Sequence, residues 1–454
     1  MPVSRLSAKT AAALLSGCAI ASCSSNAVPA AGPTVAPQGS RAAANPGAKK
    51  QASKIKHVIV IVQENRSFDN MFQGYPGANT VSSGLNSKGE TIQLQPIPLE
   101  ANYTINHTSQ DFFSACDGNP PGENCKMDAF DKEVAGGKSV PKNPEYGYVP
   151  SNESALYFQM AQQYVLADDM FTSNLDASFA SHQYIIAGQA NGSVDLPTGP
   201  WGCGGNGSDV VATLTSTRGY GPNQSPCFTY PTIGSELDKK KKTWRYYAPA
   251  SSDTESYIWS AYQAISQVYN GPEWTTNVIS PPQQFLTDVG NGTLSSVTWV
   301  IPTCTNSDHL MCLSNTGPAW VASLVNAVGE SPFWSTSTIF VMWDEWGGWY
   351  DHVPPPYEDY DGLGIRVPLL MISPYAADGY VSHVQYEHGS ILRYIEDTFG
   401  LKRLAASDTR ANSPGDDASF NYDQKPRAFV PIQTQMKIDD FIKAPPDPRP
   451  PDDD

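Results

Sequence analysis

No Cys-x-x-Cys pair occurs anywhere in this 454-residue chain, so its eight cysteines lack the spacing of zinc ribbons and fingers. Basic residues are outnumbered: 29 Lys and Arg against 45 Asp and Glu give a net charge of −16 at pH 7. A nucleic-acid partner needs a basic face to displace phosphate counterions, and none is expected here. After the N-terminal segment, no stretch reaches the ~18 consecutive apolar residues of a membrane span. There is no internal repeat. Histidine is also scarce, seven residues in all, so each can be weighed singly.

The N-terminus has the parts of an export signal: Arg5 and Lys9, an apolar run from Thr10 to Ala19, then small residues. Ile20-Ala21-Ser22-Cys23 has the form of a bacterial lipobox, which would leave Cys23 lipid-anchored after cleavage. Cys18 fits the same tetrapeptide with a shorter apolar run, and simple secretion is the plainer alternative. Residues 1–23 therefore read as a signal peptide. Residues 24–53, rich in Ala, Pro, Gly and Ser, read as a flexible tether, 54–402 as the folded body, and 403–454 as an extension with a disordered acidic tail. Six cysteines remain in the body. Their even number in an exported chain suggests disulfides, and local pairing (Cys116–Cys125, Cys203–Cys227, Cys304–Cys312) would staple three loops, although spacing does not fix the connectivity.

Two stretches carry the chemistry. Ile55 to Val62 is an almost unbroken β-branched run, as in a strand buried on both faces, and Glu64 and Asn65 stand where it stops. Thr338 to Trp343 reads the same way, with Asp344 and Glu345 at its carboxyl end and Gly347-Gly348, Asp351 and His352 beyond. In open α/β sheets, reactive groups gather at the carboxyl ends of strands. Oxygen donors from two such ends suit one divalent cation. Between these stretches, Val297 to Pro302 reads as a strand with Ser307-Asp308-His309 beyond it. Ala319 to Val328 is predicted as a crossover helix, and Val367 to Ser373 as a further strand. Ser154 to Ala167 and Ser390 to Phe399 have helical spacing, while residues 74–150 are loop-like and contain His107. Ser178 begins a helix that runs through Ile186 to Gly188, where free N–H groups favour a phosphate oxygen. A simple N-cap role is the alternative for Ser178.

The motifs Glu64-Asn65-Arg66-Ser67-Phe68-Asp69, Ser307-Asp308-His309, Asp344-Glu345-x-Gly347-Gly348-x-Tyr350-Asp351-His352-Val353-Pro354-Pro355 and His388-x-Ser390-Ile391-Leu392-Arg393 resemble the bacterial phosphoesterase family. That family includes phospholipases C of the non-haemolytic type and an acid phosphatase of the alkaline-phosphatase-like superfamily. The resemblance implies a three-layer α/β/α sandwich with a mostly parallel sheet and, here, a disulfide-stapled loop cap. It implies a metal-dependent phosphoesterase acting on phosphate esters or phospholipids through a phosphoserine. Glu64, Asn65, Asp344 and Glu345 would bind the metal, Ser178 would be nucleophile and further ligand, and His107, His309 and His352 would line the phosphate pocket. Two positions depart from the pattern: His182 after Ser178, which reads as either a pocket group or an ordinary helix residue, and Trp346 where relatives often carry His or another small polar residue, which implies a different leaving-group specificity. His57, His383 and His388 are expected to be structural. Larger members carry further C-terminal β-rich domains, which favours a compact phosphatase-like or minimal phospholipase C-like form here. The alternative from another class is a surface lipoprotein that only binds phosphorylated or choline-bearing ligands.

Overall fold

A computed structural model describes residues 46–199, 201–205, 209–250 and 257–445. The expected signal peptide, most of the tether and the tail from residue 446 lie outside the described residues. In chain order the main sheet comprises β1 (His57–Gln63), β2 (Val165–Ala167), β3 (Trp244–Tyr247), β4 (Val278–Ile279), β5 (Val297–Val300), β6 (Ser337–Trp343), β7 (Leu369–Ile372) and β8 (Tyr380–Ser382). Across the sheet the order is β4-β3-β5-β1-β6-β7-β2-β8. Only β7 runs against its neighbours. The long β-branched strand β1 therefore lies at the centre, parallel to β5 on one side and to β6 on the other. Register pairs Gln63 with Trp343, so Glu64 and Asp344 leave the sheet side by side.

Helices cover both faces of this sheet. The relevant ones are α1 (Pro46–Lys54), α2 (Ala155–Gln163), α3 (Ser178–Ala187), α4 (Gly317–Gly329) and α5 (His388–Phe399). Phe340 and Trp343 of β6 differ in parity and so point to opposite faces. Phe340 meets Tyr394 of α5 and Trp343 meets Tyr157 of α2, each pair with ring centroids 4.9 Å apart. Both central strands are buried almost end to end, which explains why they read as continuous apolar runs. The fold is the expected three-layer α/β/α sandwich, and α4 supplies the crossover between β5 and β6.

Three details differ from expectation. The last residues of the segment read as an amphipathic helix, Val165–Ala167, form β2, because the chain turns extended at Tyr164 and enters the sheet. The described end of the expected tether is helical: α1 buries Gln51, whose side-chain amide donates to Tyr394 O (2.8 Å) and Thr398 Oγ1 (2.5 Å) of α5. Residues 403–445 also pack on the body. Ser407 Oγ donates to Gly188 O, Tyr394 and Tyr422 share a hydroxyl hydrogen bond, and Phe420, Tyr422 and Phe441 are buried.

The three local disulfides are present. Phe112, Met127, Phe130 and Tyr146, next to the Cys116–Cys125 bridge, form a small second core with Trp346 and Tyr350. That core lies against the turn following Glu345 and so caps the strand end. Among the described residues, no helix is long and apolar enough to cross a membrane.

Candidate active site

The carboxyl ends of β1 and β6, with the loop before α3, bring four acidic side chains into one buried region. Glu64, Asp344, Glu345 and Asp176 are each no more than 1% exposed. Asn65 adopts a left-handed backbone (φ 59°), and its N–H donates to Asp344 Oδ1 at 2.9 Å. Gly347 also needs positive φ, and a Cβ there would meet the Asn65 backbone at 2.5 Å, so the turn after β6 closes directly on the turn after β1.

The donors form two adjoining triads. In the first, His182 Nε2 lies 3.2 Å from Glu64 Oε1 and 3.8 Å from Asp344 Oδ2. In the second, His107, Asp176 and Glu345 converge, with His107 Nε2 3.4 Å from Glu345 Oε1. His107 Nδ1 lies 2.7 Å from Ile105 O, which fixes the tautomer and turns the Nε2 lone pair towards the Asn65 amide at 3.1 Å. Asn65 joins the triads.

Electrostatics here are strained without a cation. Burial, then Asp344, pushes the Glu64 carboxyl well above the usual carboxylate range. Burial also raises Glu345 to about 8, with Asp344 adding to it and His107 opposing. Asp176 is pushed well up by burial and by Glu345. Burial lowers His182 to about 4 against the pull of Asp344. Asn65 Oδ1, Asp344 Oδ2, Glu345 Oε1 and Asp176 Oδ1 are buried without a hydrogen-bond partner. A hard or borderline divalent ion satisfies such a set of orphaned oxygens, so the residues fit the expected cation.

The structure thus gathers Glu64, Asn65, Asp344, Glu345 and His107. Ser178 opens α3, preceded by Ala177, and His182 follows it by one helical turn on the same face. No side-chain cap bond forms at that helix start, so the N-cap role considered for Ser178 is not used. His309 lies in the Cys304–Cys312 loop, its Nδ1 facing Leu310 O and its ring 5.6 Å from Trp259. That loop is tied to β1 by Asp308, whose N–H donates to Gln63 Oε1 and whose carboxylate takes Tyr157 and Trp343 donors.

His352 belongs elsewhere. Its Nδ1 meets Asp69 Oδ2 at 2.6 Å and its Nε2 meets Asn79 Oδ1 at 3.1 Å, in a cluster with Asp351 and Arg366. An Asp69-bound imidazole has a positioning partner on each nitrogen, which explains why the motif places it beside, not within, the carboxylate group.

Sequence reasoning missed one member, Asp176, which sits in a loop of no marked pattern and whose one signal was nearness to Ser178. His182 was left open between a pocket group and an ordinary helix residue, and it stands beside Glu64 and Asp344. Trp346, read as a specificity change, is fully buried and donates its indole N–H to Asp176 Oδ2 at 2.5 Å. It holds a site carboxylate in place. His57 and His383 are held outside this region, by Ser295 O and Asp168 respectively. His388, expected to be structural, is instead buried near Asp344 and His182.

This α/β/α sandwich, whose central strand ends carry the buried carboxylates, is matched by the Phosphoesterase family over residues 55–402, and the chain belongs to that family. Among characterised proteins it is 24% identical to the non-hemolytic phospholipase C of Burkholderia pseudomallei over 410 residues, covering 76% of this chain and 55% of that one. It is 23% identical to phospholipase C B of Mycobacterium tuberculosis over 454 residues, covering 86% and 82%. The chain thus spans about half the length of the Burkholderia relative. A solved protein of the alkaline phosphatase superfamily from Vibrio parahaemolyticus aligns at a TM-score of 0.35 and 10% identity, over 80% of this chain and 72% of that one.

Proposed function

We propose that this protein is a metal-dependent phosphoric ester hydrolase of phospholipase C type, working through a phosphoserine at Ser178. The observation that carries the reading is the convergence of Glu64, Asn65, Asp344 and Glu345 at two neighbouring strand ends. Those four residues, with Ser178, would hold the ion. When bound, it supplies Lewis-acid stabilisation of phosphoryl oxygens and lowers the pKa of the attacking hydroxyl.

The chain's own groups do the rest. The free N–H groups at the start of α3 donate hydrogen bonds to the phosphoryl oxygens. The Ser178 hydroxyl gives its proton to solvent as its oxygen bonds to phosphorus, and the ester oxygen departs with a proton from His309, whose ring is oriented through Nδ1 and regains that proton from solvent. Water then displaces phosphorus from Ser178 and regenerates the hydroxyl. His107 keeps Asn65 and Glu345 in register. Trp346 holds Asp176 behind them.

The relatives' names favour a phospholipid substrate. The signal-like N-terminus and the three disulfides favour export, with Cys23 as lipid anchor. Palmitate labelling with and without Cys23→Ala tests the anchor. The decisive assay offers phosphatidylcholine, a phosphate monoester and a diester to the full chain and identifies the products. Diacylglycerol release is expected, whereas inorganic phosphate alone would assign a phosphatase. Ser178→Ala should lower kcat at least about 10³-fold. Retained activity in that variant, or activity indifferent to chelation and metal analysis without any divalent ion, refutes the mechanism.

A further inference from the structure

His182 is carried by the same face of α3 as Ser178 and is 2% exposed. Its Nε2 and the Glu64 and Asp344 oxygens all lie within 4.8 Å of one another, at 3.2 Å and 3.8 Å from the nitrogen. Donors bonded to one cation at ~2.1 Å stand roughly 3.0–3.5 Å apart; the Glu64 contact falls in that range, and the Asp344 oxygen would close by about 0.3 Å on a shared ion. Hydrogen bonding accounts for less of what is seen. Nε2–H can serve Glu64, but Asp344 Oδ2 then stays buried without a partner. A second imidazole stands nearby. His388, at the start of α5, is 1% exposed and lies beside Asp344, His182 and the Trp343 backbone.

We propose that His182 binds the cation directly together with Glu64 and Asp344, and that the centre therefore takes a borderline transition ion of the zinc type in preference to magnesium or calcium. This rests on the metal-dependent reading above and specifies its ion. An imidazole nitrogen suits zinc, iron or nickel, whereas magnesium and calcium seek oxygen donors throughout. Without that role, His182 would serve only as a fastener for Glu64, and an all-oxygen ion would suffice.

The test uses the full chain, stripped of metal and refilled with Zn²⁺ or Ca²⁺. Zn²⁺ should bind the parent more tightly than Ca²⁺. His182→Gln should weaken Zn²⁺ binding at least about tenfold while changing Ca²⁺ affinity less than about threefold. X-ray absorption on the Zn²⁺-loaded parent should show the outer-shell scattering of a coordinated imidazole. That scattering should persist in His107→Gln and fall in His182→Gln. Its absence from the parent, its loss in His107→Gln, or its undiminished persistence in a folded His182→Gln overturns the proposal. If His182→Gln does not fold, the parent and His107→Gln spectra still decide. A parent that binds no divalent ion brings down the metal-dependent reading as well. A parent that binds Ca²⁺ as tightly as Zn²⁺ and hydrolyses phosphate esters brings down only the role of His182.

Discussion

Asp176 shows how a single residue can be both essential to a site and hard to see. Its carboxylate is fixed by one good donor, the Trp346 indole, and faces His107 and Glu345. Trp346→Phe keeps most of the ring volume among Phe130 and Tyr350 but removes that donor. The expected cost is about 1–3 kcal/mol from an oxygen left unpartnered in a buried place, with weaker divalent-ion binding. Denaturant titration and calorimetric metal titration of the variant check both effects, and an unchanged ion affinity would remove Asp176 from the site. Glu64 and Asp344 were legible because each ends a buried apolar strand, so burial pattern and polarity change at the same point. Asp176 and His182 lie in a loop and within a helix buried along its whole length, where no such contrast marks them. His352 stands in a separate group with Asp69 and Asp351. Its motif looks catalytic, but Asp69 and Asn79 engage both ring nitrogens.

At the scale of elements, the segment after residue 402 was read as an extension apart from the folded body. A few contacts fix it instead. Glu396 of α5 is 1% exposed and accepts from Arg403, while Asp408 lies close by. Burial, then Asp408, raises the Glu396 carboxyl to about 9 despite Arg403. Its unfolded value is near 4.5, so the folded state holds the extra proton across neutral pH. The sign follows: this contribution to stability is complete below about 4.5 and is lost as pH rises through about 9. Glu396→Gln keeps the neutral shape and cannot ionise. Unfolding free energies measured from pH 6 to 9.5 should therefore fall less steeply in the variant than in the parent. Parallel curves would mean that Glu396 is ionised throughout and that Arg403 dominates. Helix α1 was missed for a related reason: its Ala, Lys and Gln residues suit a helix as well as a tether, and only the docking of Gln51 on α5 distinguishes the two.

Across the whole molecule, the sheet supplies the carboxylates while three disulfides staple loops outside it, and stability and catalysis separate in those bridges. The Cys203–Cys227 bridge spans 24 positions, against 9 for Cys116–Cys125 and 8 for Cys304–Cys312. Chain-entropy arguments then give the long loop roughly 3.5 kcal/mol and each short loop about 2.6 kcal/mol. Position ranks them differently. Cys304–Cys312 brackets His309, and Asp308 in the same loop grips Gln63 at the end of β1. Paired Cys→Ala variants should therefore split the effects. Loss of Cys203–Cys227 should lower the thermal midpoint most, whereas loss of Cys304–Cys312 should cost kcat most. Both are measured on the full chain, with ester hydrolysis assayed well below each midpoint. If the Cys304–Cys312 variant keeps parental kcat, the loop carrying His309 is positioned by Asp308 and its packing alone, and the bridge serves only stability.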